Sequence, residues 1–169
     1  MTLKINFPNI DLFIFDFDGV LTPNTVYVDE DGKEFVRCSR SDGLAFDVLN
    51  KLNKKAYIIS SEKNAVVNAR AKKINIPVLQ GINNKLEAVE NITEKHNTSL
   101  SRILFVGNDV NDYHAMKASG FSACPSDSHS EIKRFADIVL KSKGGQGVIR
   151  ELLEEVFELN FIEILYDRG

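Results

Sequence analysis

Leu12-Phe13-Ile14-Phe15-Asp16-Phe17-Asp18-Gly19-Val20-Leu21-Thr22 is the stretch from which the fold is read. It opens as an apolar, aromatic-rich run and closes on two carboxylates and a glycine. Such a run fits a strand of a parallel sheet, buried on both faces. Residues two apart on an extended chain point the same way, so Asp16 and Asp18 would project together from the carboxyl end of that strand. Open α/β sheets place ligands there. Two carboxylates so close repel and shift each other's pKa, unless a cation sits between them or one keeps a proton. Magnesium suits such an oxygen site, completed by water and a substrate phosphate. A solvated loop carrying two acids is the plain alternative for this stretch alone.

Working outward, Thr25-Val26-Tyr27-Val28 and Glu34-Phe35-Val36 flank an acidic turn with Gly32, which reads as a hairpin over about residues 24–37. Its acids lack the spacing and closing Glu of a calcium loop. Leu44, Ala45, Val48, Leu49 and Leu52 follow at helical spacing, with Ser41 or Asp42 as N-cap. Short strands are expected at 56–59, 77–79, 103–106, 121–123 and 138–140. Helices are expected at 64–74, 85–96, 111–119 and 131–135. Gly144-Gly145-Gln146-Gly147 breaks the chain before a last helix over 148–159. The alternation implies right-handed βαβ units: an α/β, three-layer αβα, Rossmann-like fold with a parallel sheet and a small β-hairpin flap. One domain over 1–169 is expected, its C-terminal helix and tail covering 148–169. Polar groups recur after successive strands: Asp16 and Asp18, Ser60, Lys85 one loop later, then Asn108 and Asp109. The fold would gather them along one sheet edge.

With 169 residues, 43% of them apolar and 27% charged, the chain can bury a sizeable core. A net charge of −3 gives no reason to expect nucleic acid or an anionic membrane as partner. No apolar run approaches the roughly 20 residues of a membrane span. The opening MTLKINFPNIDLF has no signal-peptide pattern. Cys38 and Cys124 lack paired metal spacing and read as reduced thiols, consistent with a cytoplasmic location. Cys124 reads as a small buried apolar residue, and His114 and His129 as surface or helix-end residues. Leu153, Val156, Phe157, Leu159, Phe161, Ile162 and Leu165 exceed what one helix face must bury, which reads as a subunit interface.

A carboxylate nucleophile, a second carboxyl able to move a proton, a hydroxyl, a lysine and a magnesium site suit phosphoryl transfer through an aspartyl phosphate. Two acids beside a phosphate dianion repel strongly. Each unit-charge pair about 4 Å apart costs about 4 kcal/mol at an effective dielectric near 20. Magnesium and Lys85 are the offsets.

Asp16-Phe17-Asp18-Gly19-Val20-Leu21-Thr22, Ser60, Lys85 in Gln80-Gly81-Ile82-Asn83-Asn84-Lys85, and Gly107-Asn108-Asp109-Val110-Asn111-Asp112 resemble, in order, the four motifs of the haloacid dehalogenase superfamily. The resemblance implies Asp16 as nucleophile and Asp18 as general acid/base. It implies that Ser60 and Lys85 hold the phosphoryl group and that Asp112 positions Lys85. Mg2+ would be bound by Asp16, the Asp18 carbonyl and Asn108, with Asp109 nearby. The insert between Thr22 and the first core helix has room for a hairpin but not for a cap domain. This is similar to the capless subclass that dephosphorylates 2-keto-3-deoxy sugar acids, typically homotetramers in which a neighbouring subunit helps close each site. Gly144-Gly145-Gln146-Gly147-Val148-Ile149-Arg150-Glu151 resembles that subclass's C-terminal signature.

Eight-carbon phosphatases, acting on 3-deoxy-D-manno-octulosonate (KDO) 8-phosphate, usually carry Thr-Gly-Arg where this chain has Ser60-Ser61-Glu62. Glu62 with Arg70 and Lys73 downstream resembles the nine-carbon branch, which implies a sialic-acid-type nonulosonate 9-phosphate as substrate. Gly19, Ser61, Glu62, Arg70 and Lys73 would then face the substrate. On charge pattern alone a solvated helix face explains Glu62, Arg70 and Lys73 equally well. The same region resembles phosphatase-like domains attached to acylneuraminate cytidylyltransferases, which implies a functional link to a CMP-sugar synthetase. Position 108 is Asn where the subclass usually has Asp, so weaker metal binding is expected. Alternatively Asp109 takes over, or the domain serves assembly instead. A signalling receiver domain uses similar groups, but its phosphorylated Asp follows a middle strand, not the first.

Overall fold

The computed structural model describes residues 5–167. A six-stranded parallel sheet runs in the order β5 (Val78–Leu79), β4 (Lys55–Ile59), β1 (Leu12–Phe15), β6 (Ile103–Val106), β7 (Phe121–Cys124), β8 (Ile138–Val139). Phe15 pairs with Ile58 on one side and Val106 on the other, so β1 lies between two strands. Every β1 residue is buried, and the alternation sorts them. Phe13 and Phe15 enter one core with Ala45, Phe46 and Leu49 of α1 (Arg40–Lys51), Val67 of α2 (Ala65–Lys73) and Ile149 of α6 (Val148–Glu151). Leu12 and Ile14 enter the other with Val89 of α3 (Lys85–Lys95), Met116 of α4 (Tyr113–Ala118) and Ile132 of α5 (Ser130–Phe135). The result is the three-layer αβα fold. The Phe15 and Phe46 rings meet edge to face at 5.2 Å, tying β1 to α1. β2 (Tyr27–Val28) and β3 (Glu34–Phe35) form a separate antiparallel hairpin between β1 and α1.

Three expectations need correction. Neither Ser41 nor Asp42 caps α1: Ser39 does, accepting from Ser41 N. Asp42 lies inside the first turn, buried, and accepts instead from Ile149 N and Arg150 N. The last helix does not run over 148–159. It opens from α6 into a π-helical turn over Leu152–Val156, turns at Glu158 (φ 55°), and restarts as α7 (Phe161–Tyr166), capped by Asn160. This break folds the apolar tail back onto its own core. Leu153 and Phe161 are buried there, and Phe157, Leu159 and Leu165 pack against it, leaving Val156 and Ile162 exposed. The apolar excess is therefore mostly intramolecular. Exposed apolar side chains gather instead on the hairpin, at Val26, Tyr27, Val28 and Phe35. Finally, the expected helix at 111–119 begins as a 3-10 turn, Val110–Asp112, before α4.

His114 and His129 are exposed, and His129 Nδ1 accepts from Glu131 N at the start of α5. Cys124 is buried, Cys38 is half-buried, and both are free thiols. Among the described residues no helix is long and apolar enough to cross a membrane.

Candidate active site

β1, β4 and β6 end side by side, and the loops that leave them, with Lys85 from the start of α3 after β5, supply the site. Asp16 follows β1 directly, and its N–H still bonds to Val106 O. The residue is 4% exposed. One carboxylate oxygen, Oδ1, accepts from Phe17 N at 2.7 Å and meets Lys85 Nζ at 2.8 Å. Lys85 opens α3 behind its Asn84 cap and is buried. Its ammonium is shared with Asp112 Oδ1, at 2.6 Å. The other oxygen of Asp112 accepts from Asn108 N at 2.9 Å and Asp109 N at 3.3 Å. One lysine thus serves two buried carboxylates, and Asp112 has the larger share of donors.

Ionisation follows from that imbalance. Burial, then the charge of Asp112, pushes the Asp16 pKa up to about 8, against the pull of Lys85. Burial works against the Lys85 ammonium, but the two carboxylates outweigh it and hold its pKa above that of a free lysine. Asp18, partly buried, is raised by burial and then by the charge of Glu62. With Asp16 and Asp18 both ionised, the cluster would carry more negative charge than its lysine can balance.

The Asn108 amide reaches into this excess. The atom at its inner end lies 2.9 Å from the Asp18 carbonyl oxygen and 3.1 Å from Asp16 Oδ2. With nitrogen there, the amide donates to both. With oxygen there, three oxygens converge with no proton between them. Metal–oxygen bonds of about 2.1 Å in an octahedron place adjacent oxygens about 3 Å apart, and both distances from the Asn108 amide match that spacing. One carboxylate, one carbonyl and one amide oxygen therefore fit a divalent cation such as Mg2+. No group of three or more His, Cys, Asp or Glu among the described residues offers another metal site. Gly19 makes the approach possible: its φ is +85°, and a Cβ there would overlap the Asn108 amide.

Around these groups lies a cavity of about 160 Å³, lined by Asp16, Asp18, Asn24, Ser60, Ser61, Glu62, Asn108, Asp109 and Asn111. Ser60 is buried at the end of β4, its Oγ accepting from Glu62 N at 3.1 Å. Asn111 Nδ2 donates to Ser61 Oγ at 3.4 Å. Asp109 stands at the rim, with Oδ1 committed to Val110 N. Past Asp18, Asn24 and Glu62 the cavity adjoins a second of about 220 Å³ beneath the hairpin, lined also by Glu34 and Asn64. Arg70 and Lys73 are not brought to this cluster. They line a separate hollow of about 420 Å³ between α1 and α2, with Arg40 and Asp47, and Arg70 Nη2 donates to Ser39 O at 2.8 Å. Asn24 and Asn111 line the site, and Glu34 the adjoining cavity, without a role having been assigned to them from sequence. Only their nearness to the motif residues could have marked them.

Comparison with known proteins bears on the family and the fold. The haloacid dehalogenase-like hydrolase family matches residues 44–152. The 3-deoxy-D-manno-octulosonate 8-phosphate phosphatase KdsC of Salmonella typhi is 32% identical over 147 residues, 86% of this chain and 78% of that one. Among solved structures, a protein described as a HAD family hydrolase from Streptomyces avermitilis superposes with a TM-score of 0.88 at 38% identity, over 91% of this chain and 88% of the other. The 3-deoxy-D-manno-octulosonate 8-phosphate phosphatase of Moraxella catarrhalis, solved with magnesium, phosphate and KDO, gives a TM-score of 0.85 at 28% identity, over 89% and 87%.

Proposed function

The chain belongs to the haloacid dehalogenase-like hydrolases, and from that premise we propose that it is a Mg2+-dependent phosphatase of 2-keto-3-deoxy sugar acid phosphates. The observation that carries this reading is the convergence of Asp16 Oδ2, the Asp18 carbonyl and the Asn108 amide, with Lys85 on the opposite oxygen of Asp16. Asp16, Asp18 and Asn108 would hold the cation, whose chemistry there is to neutralise charge between Asp16 and the phosphoryl group. Its binding requires the Asn108 amide to turn its oxygen inward. Asp109 at the rim would add negative charge close to the ion.

Asp16 attacks phosphorus and carries the phosphoryl group as an aspartyl phosphate. Lys85, fixed by Asp112, steadies the anionic side of the reaction, and Ser60 donates to a phosphoryl oxygen. Asp18, whose burial favours its protonated form, gives its proton to the leaving oxygen and then takes one from water. Gly19, Ser61 and Glu62 face the sugar.

The curated relatives act on the eight-carbon octulosonate 8-phosphate, which fits this site. Glu62 at the cavity, in place of an arginine, favours a nonulosonate 9-phosphate of sialic-acid type. Arg70 and Lys73 would then serve the site of a neighbouring subunit in a homotetramer, with the exposed apolar hairpin as the contact surface. Coupling to a CMP-sugar synthetase in the same biosynthetic route accords with such a substrate. The test is phosphate release from both sugar acid phosphates, with Mg2+ and with EDTA. Turnover that needs Mg2+ and prefers the nine-carbon substrate supports the full reading. Preference for the eight-carbon substrate removes the finer part, and no turnover of either overturns the whole.

A further inference from the structure

The glycine-rich segment before α6 contributes no side chain to the cluster, yet it presses on the loop that does. Gly145 N donates to Val20 O at 2.9 Å. Gly144 lies so close to the Gly19 carbonyl that a Cβ there would overlap it. Gly19 in turn abuts the Asn108 amide. Anything that moves this segment therefore moves the Asp18–Gly19 backbone relative to Asn108.

Three carboxylates pin the segment. Asp127 Oδ1 accepts from Gly144 N at 3.0 Å. Glu151 accepts from Lys141 N at 2.8 Å and Ser142 N at 2.7 Å. Asp42 reaches across from α1, and its Oδ1 accepts from Ile149 N at 2.9 Å and Arg150 N at 3.0 Å. Asp42 is the costly member. It is 2% exposed, and its Oδ2 has no hydrogen-bond partner among the described residues. A buried, half-satisfied carboxylate is a poor device for stability alone, since apolar packing serves that end better. Its geometric effect is to fix where α6 begins, and so where the glycine-rich segment lies.

We propose that Asp42 is a positioning residue: through α6 and the glycine-rich segment it holds Gly19 against Asn108, and so sets the spacing of the cation-binding oxygens. This rests on the reading of the site as a cation-dependent phosphatase. It also gives the segment 144–151 a task within its own subunit.

The experiment uses the full chain and Mn2+ as probe, with Mn2+ affinity read by electron paramagnetic resonance without substrate. Exchange of the Gly145 amide hydrogen is followed in parallel. Asp42→Ala raises the Mn2+ Kd about ten- to hundredfold, the range for outer partners of a metal site, and speeds exchange at Gly145. Asp42→Asn keeps an acceptor oxygen and returns the Kd to within about threefold of wild type. Asp127→Ala, on an exposed anchor of the same segment, raises it by about threefold. A folded Asp42→Ala protein with wild-type Kd and Gly145 protection overturns the proposal, as does equal weakening by Asp42→Asn. Should Asp42→Ala not fold, wild-type behaviour of Asp127→Ala by both readouts overturns it. Failure of wild type to bind Mn2+ sinks the reading of the site itself, whereas Gly145 exchange in Asp42→Ala still judges the brace.

Discussion

Two aspartates flank β1, and they are opposites. Asp11 enters the strand and meets Arg102 at the surface, with Arg102 Nε 2.5 Å from Asp11 Oδ2 and both side chains more than a third exposed. The Arg102 hydrogen bonds, with help from Thr98, bring its pKa down to about 2. Asp16 leaves the strand and meets Lys85 at 2.8 Å, with both side chains almost wholly buried. Its pKa goes up to about 8, burial first and Asp112 second. Both acids have a cationic partner at contact distance. Water decides the difference: at the surface the partner need only add to solvation, whereas in the interior it must replace it, and Lys85 is divided between two acids. An unbalanced buried carboxylate beside convergent oxygens is a place for a cation and a phosphoryl group. A balanced surface pair is a strap.

The contrast can be broken most severely by removing each acid. Asp16→Asn should lower phosphate release at least about 10⁴-fold, as loss of a covalent nucleophile does. Asp11→Asn should leave it within about twofold, as a surface change away from the site does. Comparable losses in a steady-state phosphate assay would erase the distinction.

The cations come next. Lys85→Ala strands two buried carboxylates and should cost about 3–5 kcal/mol of stability, while Arg102→Ala, at a solvated surface pair, should leave the unfolding midpoint close to wild type. Urea unfolding of the two variants measures both.

A third effect follows from protonation. Below about pH 8 a cation must displace a proton from Asp16. Mg2+ affinity should therefore climb up to about tenfold per pH unit between 6 and 8, then level off. Titration calorimetry in buffers of different ionisation enthalpy reads the released proton directly. Flat affinity across that range would mean that Asp16 is already ionised.

Asn108→Asp adds a negative charge facing the cation and should tighten Mg2+ binding by about tenfold, since ligand charge count sets such affinities. The smallest effect belongs to Asp11. Its folded pKa is depressed, so its contribution is present above about pH 4 and is lost as pH falls toward 2. The pair is solvent-screened, so the loss should be about 0.5 kcal/mol, absent in Asp11→Asn on an acid unfolding curve.

What was legible in the sequence is what repeats locally. The apolar run of β1, the strand–helix alternation and the polar residues after Phe15, Ile59 and Val106 each follow from periodicity, and together they placed Asp16, Ser60 and Asn108 on one edge. What escaped depends on contacts distant in sequence. Asp42 reads as a cap for its own helix, yet its acceptors serve α6, whose position only the packed structure supplies. The tail looked too apolar for one helix because its break at Glu158 lets two faces be buried in turn. Arg70 and Lys73 share charge and helix spacing with site residues but lie on the hollow beside α1. Charge pattern alone could not say which way that helix face turns.

Covalent catalysis by Asp16 is the claim on which the account stands, and borohydride trapping addresses it most directly. Turnover of a sugar acid phosphate with Mg2+ is quenched with borohydride, which reduces an acyl phosphate to an alcohol, and the peptides are sequenced by mass spectrometry. The account predicts homoserine at position 16, dependent on substrate and Mg2+, with Asp11, Asp18 and Asp112 unchanged. Continued turnover with Asp16 intact, or reduction at another carboxylate, would contradict it.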